Sequence, residues 1–421
     1  MVACLPTIEI TLYFLVWISH SLAAFYIAWN VTFNFRDKLV LKASDAVQNL
    51  SSSPTKTVIA VFVVDFLDFC RDLLHKILNF CIYLSRTKGI SFSSSLFIRY
   101  TQYIFYPPYS ITLIVLFNDF DVEMAEIENG RSKCINYRAL LLRLVRIIAW
   151  FILFEVILHV IHVHALFVTN PALFNTLHEY ELASVAYVNG KLFYMKYLLL
   201  FGIPSWFASA DGMKPPAGPA CISRISNYSQ MWRNFDRGLY EFLKRQVYIP
   251  VSGDPSSKYF SLRRLAALLT VFLFVFAWHG TSSNYFYWIL LNTIEICMEW
   301  VGAAISKTTF YNKIRNFLGP RGERRLIATS MIATAACGVF GVFFFLSRNK
   351  IGIIIFKRLL VSVIGRLLRL TISLPDRPFT YYAVAVHILL LGYCFNNVCL
   401  ELEKYFATKG VSEDKVKRKV H

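Results

Sequence analysis

Long apolar runs alternate with short polar stretches along this chain, and their lengths are those of membrane helices rather than of a soluble core. The first run, residues 5–31, is too long for a signal-peptide core and lacks a basic start, which predicts a retained span. Residues 58–84 are mixed. Asp65, Asp68, Arg71, Asp72 and Lys76 interrupt them, so the pattern predicts either a short span or a helix lining a polar cavity. Residues 90–117 hold Pro107-Pro108 among Tyr and Phe and predict a broken or re-entrant element. A polar loop is expected over 120–133. Residues 140–168 form a strong apolar helix pattern, basic at its start through Arg143 and Arg146, and 182–207 form another that ends at Pro204.

Residues 209–262 contain no clean span, yet they remain rich in Trp, Tyr and Phe. A water-exposed loop has no use for such side chains, so this stretch is expected to dip into the membrane against other helices. Further spans are predicted at 262–278, 285–304, 326–346 and 379–400. At ~20 apolar residues per span, the total is about eight to eleven membrane elements, with no internal repeat. Residues 351–374 carry Arg358, Arg366 and Arg369 within about 80° of one another at 100° per residue, the pattern of a helix lying at the interface. The fold class predicted is all-α and polytopic. A division is expected into an N-terminal membrane region, 1–139, and a core with a basic tail, 140–421.

Composition agrees with lipid as the solvent. Of 421 residues, 56% are hydrophobic and only 17% charged, against roughly 25% charged in soluble domains. The net charge of +18 excludes little by itself, because nucleic acid and cytosolic membrane loops both explain it. The basic residues cluster between apolar runs, which selects the membrane reading. Lys313, Arg315, Arg321, Arg324 and Arg325 crowd residues 312–325, and Lys409, Lys415, Lys417, Arg418 and Lys419 crowd the tail. Both are expected to be cytosolic, with an even number of spans between them. Counting back places the end of the 262–278 span, and His279, on the luminal side. The tail Lys417-Arg418-Lys419 has the form of a dilysine retrieval signal, which points to the endoplasmic reticulum membrane, with the Golgi as the other address. Asn49-Leu50-Ser51 is a glycosylation sequon, usable in a luminal loop. The nine cysteines are scattered singly without zinc-site spacing.

Chemistry enters at Phe274-Val275-Phe276-Ala277-Trp278-His279-Gly280, which closes an apolar run with no other ionisable group after Arg264. An imidazole with a pKa near ~6.5 is a natural proton acceptor at neutral pH. A lone His at a helix end also serves as an interfacial side chain, and this feature alone leaves both roles open. His159, His162 and His164 do not share one helix face, so they are expected to line a cavity or make hydrogen bonds rather than ligate a metal.

The Trp-His-Gly ending resembles the signature of the membrane-bound O-acyltransferases. Upstream, Met231-Trp232-Arg233-Asn234-Phe235-Asp236-Arg237-Gly238-Leu239-Tyr240 and Tyr248-Ile249-Pro250 resemble the hedgehog acyltransferase branch of that family. The resemblance extends over Lys196-Tyr197-Leu198, Leu200 to Pro204, Asp211-Gly212 and Pro215-Pro216. It departs before residue 140, where the chain is shorter than the family's N-terminal half, and at Ser252, where a Gly would be expected. The resemblance implies a fold of helices around a central tunnel, with His279 as the base and Asp236 assisting it. Trp232, Arg233, Trp278 and Gly280 are the supporting motif positions, and Cys221 is a possible thiolate ligand of heme b. It also implies transfer of a long-chain acyl group, palmitoyl first, from acyl-CoA to the N-terminal cysteine of a secreted, hedgehog-like protein. A lipid or sterol acceptor, or a membrane protein of this fold without activity, are the alternatives. No nucleic-acid partner is expected.

Overall fold

The computed structural model describes residues 8–34, 73–87, 93–110, 112–130, 135–168, 171–222, 225–347, 350–361 and 380–419. The Asn49 sequon, Asp65 through Asp72, Arg366 and Arg369 lie outside these residues. No strand occurs among the described residues. The helices are α1 (Ile8–Asn34), α2 (73–86), α3 (Ser94–Phe105), α4 (Phe117–Glu128), α5 (Tyr137–Val160), α6 (Glu179–Ala210), α7 (Tyr228–Phe235), α8 (Arg237–Phe242), α9 (Phe260–His279), α10 (Ser283–Ile305), α11 (Thr309–Leu346), α12 (Ile351–Phe356) and α13 (Thr380–Lys419). Short turns of helix join several of them.

Four helices among the described residues are long and apolar enough to cross a membrane: Leu12–Phe33 within α1, and α9, α10 and α11. The outward faces are apolar too. On α5, Leu141, Leu142, Val145, Ile148, Phe151 and Ile152 are all exposed, as a lipid-facing helix requires. The bundle buries its core along the other faces. One cluster joins Ala28 and Val31 of α1 to Val185 and Leu192 of α6, Phe340 and Phe343 of α11, and Ile351 and Ile355 of α12. A second joins Phe80 of α2, Tyr103 of α3 and Phe117 and Phe120 of α4 to Phe201 and Ala208 of α6. Residues on both sides of position 139 therefore share one core.

Several expectations are corrected. The polar loop expected at 120–133 is largely α4, whose Phe117 and Phe120 bury while its acidic residues face out; Arg99 pairs with Glu128 at 2.6 Å and Asp121 at 3.0 Å. Pro204 does not end its helix. α6 runs through it to Ala210. A proline removes the hydrogen bond to the carbonyl four residues back, and here the Thr112 hydroxyl donates to that Leu200 carbonyl at 3.0 Å. The basic stretch 312–325 is helical rather than a loop. It enters α11 across a kink at Gly319 (φ 64°), next to Pro320. Arg324 then ties α11 to α13 through Asn397 at 3.2 Å and Glu401 at 3.6 Å.

The expected interfacial helix at 351–374 is packed inward where it is described. Ile351, Gly352 and Ile355 are buried, and Arg358 reaches Glu179 at 3.1 Å and the Phe174 carbonyl at 2.8 Å. The guanidinium is thus an internal staple between the segment after α12 and the start of α6. By contrast, the broken element around Pro107-Pro108 is found. α3 stops at Phe105, Pro107–Ser110 makes one further turn, and an extended stretch leads into α4. Lys76 of α2 closes this break. Its buried ammonium donates to the carbonyls of Tyr103 (2.7 Å) and Ile104 (3.1 Å) at the C-terminus of α3 and to Ser110 Oγ (2.9 Å).

The stretch 209–262 folds into short helices wedged against the bundle. Asn227 Oδ1 caps α7 by accepting from Gln230 N at 3.2 Å. The Glu299 carboxylate of α10 accepts from Tyr228 N at 2.6 Å and from Ser229 N, placing negative charge at the positive end of α7. Gly238 is required by a close approach. A Cβ there would lie 2.1 Å from the Ile114 carbonyl oxygen. Gly238→Ala is expected to destabilise the fold by roughly 1–3 kcal/mol through overpacking, read as a lowered melting temperature in detergent.

Candidate active site

One large apolar cavity, about 1040 Å³, runs between α1, α2, α6, α7, α9, α10 and α11. Asp236, His279, Trp232 and Trp278 all line it. A helix-spanning hollow of this size, lined by apolar side chains with a few polar groups, is the ordinary form of a small-molecule site.

Asp236 is held by local structure. It ends α7 and begins α8, with φ −122° and ψ 92°, and its Oδ1 accepts from Leu239 N at 2.9 Å. An Asp N-cap of this kind has a structural use of its own. Phe235 anchors the turn by stacking on Phe193 of α6 at 5.8 Å and meeting Tyr197 at 5.5 Å. The α7–α8 turn lies between the spans α6 and α9. Burial pushes the Asp236 carboxyl up from 3.8 to about 6, with the Leu239 and Gly238 N–H groups acting against the shift.

His279 is the last residue of α9, and the helix ends there because Gly280 turns to φ 105°. That region of backbone space favours glycine, so the Gly of Trp-His-Gly has a steric reason. The half-buried imidazole sits among three rings: Trp288 at 5.2 Å, Phe345 at 5.2 Å and Tyr285 at 5.9 Å. Trp232 stacks on Trp288 at 6.0 Å and joins α7 to the same cage.

The other expected positions separate from this group. Arg233 is exposed and, like Gly280, is absent from the cavity wall. Cys221 is a half-buried free thiol that does not line the cavity either; Ile222 and Ile225 do. Among the residues that line the cavity no thiol is present to act as an axial ligand, so the cavity does not fit a thiolate-held heme. His159, His162 and His164 are exposed and none lines the cavity, which corrects the cavity-lining expectation. His159 Nδ1 bonds to the Glu155 carbonyl at 2.7 Å, as the hydrogen-bonding alternative anticipated. No cluster of three or more metal-ligating residues occurs among the described residues.

His75 and Glu295 are two of the cavity residues that the sequence pattern does not mark. His75 of α2 is buried, with its ring edge-on to Phe242 at 4.3 Å and to Trp278 at 5.7 Å, and its Nε2 has no hydrogen-bond partner. His75 stands on the described part of α2, residues 73–86. The second residue is Glu295, buried in the middle of α10. An acidic residue inside a spanning run is a legible signal, and the apolar average of that run hid it.

The model of the membrane-bound O-acyltransferase family matches residues 84–332, more than half of the chain, from the end of α2 into the first part of α11, a stretch that holds Asp236 and His279. The chain belongs to the membrane-bound O-acyltransferase family. It is 32% identical over 232 residues to the protein-cysteine N-palmitoyltransferase HHAT of Mus musculus, covering 54% of this chain and 45% of that one. It is 33% identical over 186 residues to the protein-cysteine N-palmitoyltransferase Rasp of Drosophila melanogaster, covering 43% and 36%. The membrane-bound O-acyltransferase gup1 of Schizosaccharomyces pombe matches at 26% over 254 residues, covering 58% and 41%. Each match spans less than half the length of the relative. The family accounts for an all-α membrane bundle, and the cavity between its helices carries Asp236 and His279 on its wall.

Proposed function

We propose that this chain transfers a long-chain acyl group, palmitoyl first, from acyl-CoA to the N-terminal cysteine amine of a secreted protein. The observation that carries the reading is that Asp236 and His279 both line one apolar cavity of about 1040 Å³. The two palmitoyltransferase relatives support the protein acceptor. In the step proposed, the amine nitrogen attacks the thioester carbonyl carbon. His279 removes the nitrogen's proton. The C–N bond forms, the C–S bond breaks, and the CoA thiolate leaves and takes up a proton. Asp236 orients His279 or the acceptor, or helps to move that proton. Trp232 and Trp278 shape the cavity walls beside them. Basic cytosolic segments attract the donor's phosphates, the acceptor arrives from the lumen, and the endoplasmic reticulum membrane is the proposed site.

A lipid acceptor is the second reading; the gup1 relative is named as a membrane-bound O-acyltransferase with no protein acceptor in its name. The test supplies labelled palmitoyl-CoA to membranes containing the protein, with peptides bearing a free or an acetylated N-terminal cysteine, or with lysolipid. Stable amide label is expected on the free-amine peptide only. Label on lysolipid with none on peptide would establish the second reading instead.

A further inference from the structure

The chemistry just described leaves one buried carboxylate unused. Glu295 is 1% exposed and lines the same cavity as His279. Its Oε2 has no hydrogen-bond partner. One turn earlier, Asn292 donates its amide N–H to the Trp288 carbonyl at 2.5 Å and leaves its buried Oδ1 unpaired. Trp232 lines the same cavity as Glu295, and its indole N–H lies near the Tyr228 hydroxyl without closing a hydrogen bond. An unpaired acceptor, Glu295 Oε2, and an unpaired donor, Trp232 Nε1, thus belong to residues that line the same largely apolar cavity. An unmade buried hydrogen bond costs about 1–3 kcal/mol per group, so a molecule that satisfies these atoms gains affinity from them.

The cluster is held firmly in place. A Cβ on Gly338 of α11 would lie 3.1 and 3.2 Å from the Glu295 carboxylate oxygens and 3.2 Å from Tyr228 Cδ2, so α11 packs directly against the acid. Trp232 stacks on Trp288, and Trp288 meets His279 at 5.2 Å. The unsatisfied atoms therefore begin one ring away from the proposed base.

We infer that Glu295 and Trp232 form a subsite for a secondary amide, with the amide N–H donated to Glu295 Oε2 and the amide carbonyl accepting from Trp232 Nε1. The inference rests on the acyl-CoA reading above and names the amide: the one nearest sulfur in the donor's pantetheine arm. Two methylene groups separate that nitrogen from the thioester sulfur. A thioester carbonyl placed at His279 would bring the amide past Trp288 toward Glu295. The other source of a secondary amide is the backbone of the acceptor peptide.

The experiment compares wild-type full-length protein with Glu295→Leu and Glu295→Gln. Binding is measured with a non-hydrolysable thioether analogue of palmitoyl-CoA, which needs no turnover. Transfer is measured with palmitoyl N-acetylcysteamine and with an alkyl thioester of equal length that has methylenes in place of the amide. Loss of one such hydrogen bond is expected to weaken the thioether analogue about tenfold and to raise KM for the amide-bearing donor by a similar factor. The kcat should hold within about twofold, and the alkyl thioester should be unaffected. Glu295→Gln, which keeps a carbonyl acceptor, should retain most of the affinity. Equal binding of the analogue by wild type and Glu295→Leu would overturn the subsite, as would a KM change confined to the acceptor peptide. Should Glu295→Leu fail to fold, Gly338→Ala takes its place, because its added methyl displaces the carboxylate. If wild type binds the analogue through Glu295 yet transfers to no acceptor, the subsite stands and the transferase reading alone falls.

Discussion

His279→Ala is expected to yield a folded protein whose acyl transfer has dropped by roughly 10²–10⁴-fold, the usual contribution of a positioned general base. The side chain ends its helix, and the Gly280 turn that follows is a backbone feature that alanine leaves alone. The rings of Trp288, Phe345 and Tyr285 lose one neighbour and keep one another, with Trp288 and Phe345 at 4.6 Å and Tyr285 and Phe345 at 5.6 Å. Stability should therefore change little while turnover collapses. The check is initial transfer rate per molecule of purified protein, alongside its melting temperature. Wild-type turnover in the alanine variant would remove His279 from the chemistry.

Asp236 needs a sharper substitution, because its carboxylate caps α8. Asp236→Ala confuses the two roles, since a lost cap alone costs about 0.5–2 kcal/mol. Serine is a good cap without a carboxyl group. Asp236→Ser is expected to melt close to wild type and to lose on the order of 10² in rate. Recovery of full activity by serine would mean that the residue serves only the helix. The pH profile gives a second reading. With its carboxyl raised to about 6, wild type should lose kcat/KM as pH falls through that value, if the ionised form is the working one. The serine variant should lack this acid limb. Stability runs the other way. A carboxyl whose folded value exceeds its ordinary 3.8 supports the fold fully below 3.8 and withdraws that support as pH rises through about 6.

Where one hydrophobic period dominates, the chain announces its structure. The apolar runs ending at His279 and beginning at Tyr285 became α9 and α10 within a few residues. Asp236 and His279 were visible through their motifs, and both reached one cavity. What was hidden depended on tertiary partners. No local signal says that Thr112 will satisfy the carbonyl that Pro204 leaves free, so the sequence predicts an end at Pro204 that α6 runs past. The three arginines after α12 looked like a surface face, and only the fold supplied Glu179 to draw Arg358 inward. His75 sits in a charged, irregular stretch with no helical period to mark its face, while Glu295 was diluted by the apolar residues around it.

The capping role of Asp236 bears on how such a site could change its substrate over generations. Asparagine or serine at this position would preserve the turn between α7 and α8 and alter the acid–base character of the wall. Glutamate would preserve the charge and strain the turn. Aspartate alone meets both demands. A change at this one codon can therefore alter the chemistry of the cavity wall while the surrounding bundle stays intact, so new surfaces become reachable without passing through an unfolded ancestor.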